Sequence, residues 1–229
     1  MPLTVPPMPL TGPRPRTRYP EHEARHPWLS RLLSAYHLCD ESTRAGLGAE
    51  TTKRGKALAC RSGCNICCHG QTIPVSEFEA LGLWWYAAAV LPPERQERLR
   101  HSLLHRRNAD GSSATQEFAA CPFLLDGLCA IYPLRPFVCR QHHVFGAPCA
   151  LGEDVLNKRP QDHFSSAAEA ARCMAWEIIP LYGVGEDDVD RRFEAGYVRN
   201  RSKPLDTLPL ENIIIHMDAQ AQLRKLRDA

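Results

Sequence analysis

"ALACRSGCNICCHG", residues 57–70, places four cysteines within nine residues: Cys60, Cys64, Cys67 and Cys68. On a helix, at roughly 100° per residue, their sulfur atoms would fall within an arc of about 100° and face one side. Gly63 disfavours a regular helix, but a loop wrapped around an ion would bring the sulfurs together equally well. Thiolates placed so closely repel one another unless they are protonated or bound to a cation. The stretch therefore predicts a metal site.

Two other interpretations of these cysteines are weaker. Buried core cysteines are common, but Arg61, Ser62 and Asn65 make this stretch too polar for a core segment. Ten cysteines in 229 residues are too few for a disulfide scaffold. The N-terminal stretch "MPLTVPPMPLTGPRPRTRYP" has neither the basic region nor the unbroken apolar run of a secretory signal. We therefore expect a reducing, cytoplasmic environment.

The rest of the chain predicts a mainly α fold. Apolar residues recur at helical spacing from Pro27 and predict an amphipathic helix that fades near Gly46. A second helix should begin at Ser76, which forms a capping box with Glu79. Three more helices are predicted over residues 92–110, 165–179 and 209–229, and no run of residues reads as a full strand.

The domain organisation follows from proline content. Residues 1–26 hold seven of the 19 prolines and predict a disordered Pro-rich tail. Residues 27–229 should form a single helical domain around an irregular cysteine-rich metal-binding centre, with its motifs in residues 60–149. Cys39 and Cys173 lie on apolar helix faces and are expected to be core residues.

Several function classes are disfavoured. The net charge of +2 demands neither nucleic acid nor an anionic membrane, and the apolar run 80–91 is shorter than the roughly 20 residues that a span requires. The sequence "HEARH", residues 22–26, matches a zinc-protease motif, but Pro27 should push His26 out of the helix. The C-x3-C-x2-C spacing also occurs in radical-SAM enzymes, whose partial α/β barrel needs alternating strands and helices that are not evident here.

A second cysteine block, "CPFLLDGLCAIYPLRPFVCR", spans residues 121–140. Together with "CRSGCNICC" it resembles the YkgJ-type cysteine-cluster family, described as a zinc- or iron-chelating domain and similar to the cysteine-rich part of flagellin lysine N-methylases. The resemblance implies a metal-holding domain, but no particular reaction. It also implies that the ligands come from both blocks: Cys60, Cys64, Cys67, Cys68, Cys121, Cys129, Cys139 and Cys149.

The residues of the second block agree with this resemblance. Asp126-Gly127 is a turn signal that would bring Cys121 and Cys129 back toward each other. Arg135 and Arg140 would lie near Cys139 and offset thiolate charge, unless they form surface salt bridges. Three aromatic residues could shield the centre or simply fill the core, and three histidines could be extra ligands or exposed side chains. These six residues are Phe123, Tyr132, Phe137, His69, His142 and His143.

Thiolate coordination suits either zinc or an iron-sulfur cluster. Zinc sites usually show paired C-x2-C motifs, whereas C-x3-C-x2-C-C with distant partners favours wrapping around a larger cluster, so we expect an iron-sulfur cluster, with zinc as the alternative. The eight cysteines could form one shared site or two sites with four ligands each. Three functions stay open: a metal-holding protein, a metal-dependent protein-modifying enzyme such as a lysine N-methylase-like protein, and a zinc-stabilised interaction module. In the last, helix 210–226 would dock on an unidentified protein partner.

Overall fold

The computed structural model describes residues 15–108, 120–164 and 168–227. The predictions for residues 1–14, 109–110, 165–167 and 228–229 lie outside these ranges. The described part of the chain contains ten α-helices: α1 (Pro20–Arg25), α2 (Pro27–Arg54), α3 (Glu77–Trp85), α4 (Pro93–Asn108), α5 (Phe137–Gln141), α6 (Val155–Lys158), α7 (Ala168–Ile178), α8 (Val189–Glu194), α9 (Tyr197–Arg201) and α10 (Glu211–Arg227). The mainly α fold class is therefore confirmed.

Short strands tie distant parts of the chain together. The described residues contain six strands of two residues each: β1 (Pro74–Val75), β2 (Leu124–Leu125), β3 (Leu128–Cys129), β4 (His143–Val144), β5 (His163–Phe164) and β6 (Lys203–Pro204). They pair antiparallel as β1 with β6, β2 with β3, and β4 with β5. None of the helices in the described ranges combines the length and apolarity that crossing a membrane requires.

Helix α2 is the axis of the core. Its buried side chains follow helical spacing and pack against α3, α5 and α7: Leu29, Leu32, Leu33, Tyr36, Cys39 and Leu47. The start at Pro27 is as predicted, but the end predicted near Gly46 is wrong, because the helix continues to Arg54 and closes with Gly55 in the left-handed conformation at φ 60°. Gly46 instead makes room for a ring, since a Cβ atom built there would lie 2.6 Å from Cζ of Phe164.

The other long helices largely follow the sequence pattern. Helix α3 begins after the predicted capping box and continues as one π-helical turn over Tyr86–Val90. Helix α4 buries Leu99 and Leu103 and leaves its other face exposed, as expected of a surface helix. Helix α10 buries Ile213 and Met217 against α3, its π-helical extension and α4.

The two cysteines outside the blocks have different environments. Cys39 is fully buried in the core, as predicted. The same prediction for Cys173 is wrong, because this residue is exposed. Ala170, Met174 and Ile178 form the buried face of α7, and Cys173 lies about 100° around the helix from Met174.

Residues 15–26, assigned to the tail by their proline content, are folded in the structure. Pro20 starts α1, because proline is compatible with the first helical turn. The ring of Tyr19 packs edge-on against Trp85 at a centroid distance of 5.0 Å, and Trp85 Nε1 donates to His22 Nδ1 at 3.3 Å. His26 leaves the helix at φ −132°, so the two histidines of "HEARH" do not form a helical metal-binding pair.

Two buried charged side chains fix α5 in the fold. Arg140 is 4% exposed; its guanidinium donates to Asp40 Oδ2 at 2.6 Å, Pro133 O at 2.5 Å and Arg135 O at 2.8 Å. It also lies 3.9 Å from the centre of the Tyr36 ring. The sequence predicted that Arg140 would either offset charge near Cys139 or form a surface salt bridge. In the structure its guanidinium is instead buried, with its partners inside the protein. It joins α2, the loop before α5 and α5 itself.

Glu79 forms the second tie. Its Oε2 accepts hydrogen bonds from Ser76 N at 2.9 Å and Ser76 Oγ at 2.8 Å, while its Oε1 accepts one from Phe137 N at 2.8 Å. Burial raises the pKa of this carboxyl, and the hydrogen bonds from Phe137 and Ser76 act in the opposite direction. Glu79, which completes the capping box of α3, thus also accepts a hydrogen bond from the first residue of α5.

Replacing Gly46 by alanine should destabilise the protein. The new Cβ would press into the Phe164 ring, which is buried and cannot move aside freely, so the free energy of unfolding should fall by about 1–3 kcal/mol. Gly48→Ala is the matched control, because a Cβ there meets nothing within 4 Å and should raise stability by about 0.5–1 kcal/mol. Denaturant unfolding followed by circular dichroism measures both, and equal effects at the two positions would contradict the packing at Gly46.

Replacing Arg140 by methionine should also destabilise the protein, by about 3 kcal/mol, because two carbonyls and Asp40 lose their buried donor. Arg98 pairs with Asp126 on the surface, so Arg98→Met is the control and should cost less than about 1 kcal/mol. Melting temperatures compare the two variants. A loss at Arg140 no larger than at Arg98 would mean that the buried tie does not hold α5.

Candidate metal centre

The first cysteine block lies in a loop between the end of α2 and β1. Ala59 N donates to Val144 O at 2.8 Å, and Leu58 forms an isolated β-bridge with Phe145. A turn follows, in which Cys64 N donates to Arg61 O at 3.0 Å while Gly63 adopts φ 79°. A single 3-10 turn over Ile66–Cys68 completes the block. Of the two arrangements considered from the sequence, the structure has the loop.

The second block begins with the hairpin formed by β2 and β3. Asp126 and Gly127 have φ values of 52° and 75°, as in a type I′ turn, which favours Asp-Gly and matches the twist of the strands. Cys129 lies opposite Leu124 in this hairpin, and Leu124 N donates to Cys121 O at 3.0 Å. The predicted turn between the two cysteines is therefore confirmed. Cys139 follows on α5, which the Arg140 and Glu79 contacts hold against α2 and α3.

Backbone hydrogen bonds join the two blocks directly. Cys121 N donates to Cys68 O at 2.6 Å, and His69 forms an isolated antiparallel bridge with Ala120. The side-chain amide of Asn65 donates to Gly127 O at 3.2 Å, which links the first block to the hairpin turn. The last cysteine of the first block and the first cysteine of the second are thus neighbours.

The thiols divide into two groups. Burial raises the pKa of Cys60 to about 11, and three neighbouring thiols add to this shift; we call these four the first thiol group: Cys60, Cys64, Cys67 and Cys149. Burial also raises the pKa of Cys139, again with help from three thiols; these form the second thiol group: Cys139, Cys121, Cys129 and Cys67. Cys67 belongs to both groups and has a side-chain hydrogen bond with Cys68, which is the main cause of its raised pKa.

The thiols stay spread out rather than gathered at one point. Across residues 15–108, 120–164 and 168–227, no three His, Cys, Asp or Glu side chains are arranged to hold a single metal ion. All ten cysteines lie in these ranges, and none is in a disulfide. The structure therefore brings the eight block cysteines to one region of the protein, in two overlapping groups.

Arg135 supplies positive charge to this region. Burial raises the pKa of Cys129 and Cys139, and the Arg135 guanidinium acts against that rise at both thiols. The guanidinium lies 4.0 Å from the centre of the Tyr132 ring, and its buried Nε has no hydrogen-bond partner in the described residues. The expectation that an arginine offsets thiolate charge therefore fits Arg135.

The aromatic residues of the second block have separate positions. Phe123 is fully buried in the hydrophobic core, whereas Tyr132 is 45% exposed and contacts Arg135. Phe137 packs edge-on against Tyr36, with ring centroids 4.8 Å apart. Phe123 and Phe137 thus act as core residues, and Tyr132 covers the arginine that faces the thiols.

The three candidate histidines are partly buried rather than exposed. Burial lowers the pKa of His143 to about 4, and its buried Nδ1 has no hydrogen-bond partner among the described residues. The ring of His142 lies 5.0 Å from that of His163. His69 contributes its backbone to the link between the blocks. The neighbour His163 was not among the sequence candidates, because the pairing of β4 with β5 brings it there.

This donor set has a clear chemical preference. Thiolates are soft ligands that bind zinc or iron, whereas calcium and magnesium require carboxylate, carbonyl or water oxygens. Eight thiols with a guanidinium beside them match a centre whose ligands become negative on metal binding. The residues of the centre therefore fit zinc or iron.

Comparison with known proteins agrees with this chemistry. The model of the CxxCxxCC family, described as a "Putative zinc- or iron-chelating domain", matches residues 59–173, which is half of the chain. No curated protein and no solved structure matches the chain. The matched range contains all eight block cysteines, Arg135 and Arg140. The chain therefore belongs to this zinc- or iron-chelating cysteine-cluster family, in agreement with its resemblance to the YkgJ-type proteins.

Proposed function

We propose that the protein holds an iron-sulfur cluster through cysteines of both blocks. The observation that carries the proposal is the pair of backbone links between Cys68 and Cys121 and between His69 and Ala120. These links bring together two segments that are about fifty residues apart in the sequence, so one centre can draw on both. The ligands come from the set named above: Cys60, Cys64, Cys67, Cys68, Cys121, Cys129, Cys139 and Cys149.

The number of neighbouring thiols favours a cluster over a single ion. Four sulfurs bound to one zinc at about 2.3 Å in a tetrahedron lie about 3.8 Å from one another. In an iron-sulfur cluster the cysteines bind different iron atoms, so their sulfurs stand farther apart. Within the described residues no three donors gather around one point, yet thiols of both blocks interact electrostatically. The neighbouring thiols exceed the four that one zinc ion binds, which supports a larger centre.

The charge near the centre is also consistent with a cluster. A cluster held by thiolates is usually negative, and nearby donors and positive groups stabilise it. Arg135 carries such a charge. Its buried Nε has no hydrogen-bond partner among the described residues and is therefore free to donate to a bound cluster. When bound, the cluster would supply a redox-active or structural centre, while the protein contributes thiolates, a positive charge and a partly buried environment.

Zinc is the second candidate, and one observation favours it. The thiols form two groups, with Cys67 common to both and Cys68 beside it. Assigning Cys67 to one group and Cys68 to the other would give four ligands to each of two tetrahedral zinc sites. The enzyme alternative, a lysine N-methylase-like protein, has only the sequence resemblance behind it and stays a prediction. The cytoplasmic location and a protein partner also stay predictions.

The nature of the metal should be decided by purification without oxygen followed by iron, zinc and acid-labile sulfide analysis. We expect brown protein with broad absorption near roughly 400 nm and labile sulfide in proportion to iron. Colourless protein with two zinc ions per chain would support the zinc candidate instead. Protein that takes up neither metal would contradict both.

Serine substitutions should show whether the two blocks share one centre. In a shared centre, Cys64→Ser in the first block and Cys139→Ser in the second should each remove nearly all of the metal and lower the melting temperature, because a hydroxyl is a poor substitute for a thiolate ligand. Two separate zinc sites would instead leave about half of the metal in each variant. Cys173→Ser is the matched control: the residue is exposed and outside both blocks, so metal content and melting temperature should not change. Cys39→Ser should keep the metal but cost about 1–3 kcal/mol for a buried hydroxyl. Full metal content after substitution in either block would contradict a shared centre.

A further inference from the structure

Two histidines lie side by side on the exposed face of α4. His101 and His105 are one helical turn apart, and both side chains are exposed. Their Nε2 atoms are 2.9 Å apart, and the ring centroids are separated by 4.1 Å. The cysteine centre does not use this pair, and its position on the surface leaves the two nitrogens open to an ion from solvent.

The nitrogen separation matches the geometry of a bound transition metal. Imidazole nitrogens bind such ions at about 2.0–2.1 Å. Two ligands at an angle of about 90° then lie about 2.9 Å apart, as in the square-planar or octahedral coordination typical of Ni²⁺ and Cu²⁺. A tetrahedral zinc angle would need about 3.4 Å, which a small rotation of either exposed ring would provide. The helix thus already holds both nitrogens near the chelating arrangement.

The surroundings of the histidine pair contain carboxylates that offset positive charge. Glu97 lies one turn before His101, and together they line a shallow cavity with Arg98, Ser102 and Leu125. Two arginines of α4 close to His101 are paired with carboxylates, Arg98 with Asp126 and Arg100 with Asp218. These pairs offset the repulsion that the guanidinium groups would exert on a bound cation.

We propose that His101 and His105 form a second metal site, which binds one divalent transition ion of the imidazole-preferring class, such as Ni²⁺, Cu²⁺ or Zn²⁺. The site goes beyond the proposed function and does not depend on it, because its ligands are nitrogens on a different element. It adjoins the cysteine centre: Leu125 and Asp126, which contact α4 here, belong to the hairpin that carries Cys129. A two-histidine site open to solvent would bind its ion reversibly, unlike the partly buried thiols.

The test is nickel binding to the full chain with its cysteine centre loaded. Equilibrium dialysis against Ni²⁺ should show one site, and nuclear magnetic resonance of the imidazole nitrogens should place the ion at His101 and His105. His101→Ala and His105→Ala should each weaken this site about tenfold or more, because one remaining imidazole cannot chelate. His216→Ala is the matched control, since His216 is another exposed histidine, on α10, and should leave nickel binding unchanged.

Each other outcome overturns the proposal. If the two rings only share a hydrogen bond, the protein binds no nickel at this position. If one alanine variant keeps full affinity, the pair is not the chelator, and equal loss in His216→Ala indicates unspecific binding. The Cys64→Ser variant separates the two sites: it should keep the nickel site even if it loses the metal of the cysteine centre. Circular dichroism of every variant verifies that α4 remains folded.

Discussion

The buried guanidinium of Arg140 is the constraint on which the arrangement of the second cysteine block depends. A buried charge is costly unless its donors are satisfied, and here the partners come from two segments that are far apart in the sequence. Asp40 and Tyr36 lie on α2, whereas the carbonyls of Pro133 and Arg135 lie in the loop before α5. When all these contacts form together, α5 has one position against the central helix.

The position of α5 determines where Cys139 lies in the metal centre. Cys139 immediately precedes Arg140, so fixing the arginine fixes the cysteine. The same contacts hold the carbonyl of Arg135. They therefore orient the loop from which the Arg135 side chain faces the thiols. Glu79 adds a second restraint through Phe137 N. The two arginines therefore have different roles. Arg140 is paired with groups inside the protein, whereas Arg135 faces the thiols.

The cysteine loops depend on the helices and on one another. Apart from short turns, the first block has little regular structure of its own and is held by hydrogen bonds to Val144, to Cys121 and to the hairpin turn of the second block. Ordering such loops costs conformational entropy that is offset by little apolar burial, so a metal that crosslinks them would stabilise the fold.

The sequence by itself determined the features that act within one turn of chain. Helical spacing from Pro27, the Ser76–Glu79 capping box and the Asp126-Gly127 turn follow from contacts between residues at most four apart, and the cysteines define the ligand chemistry. Only the tertiary structure decided the rest, because it depends on partners far apart in sequence. Gly46 lies inside a helix, where the absence of a Cβ makes room for the ring of Phe164, and the buried Arg140 is paired with Asp40, a hundred residues earlier. Residues 15–26 are folded because the rings of Tyr19 and His22 contact Trp85. The two cysteine blocks meet through the backbones of Cys68 and Cys121 and through the neighbouring bridge between His69 and Ala120.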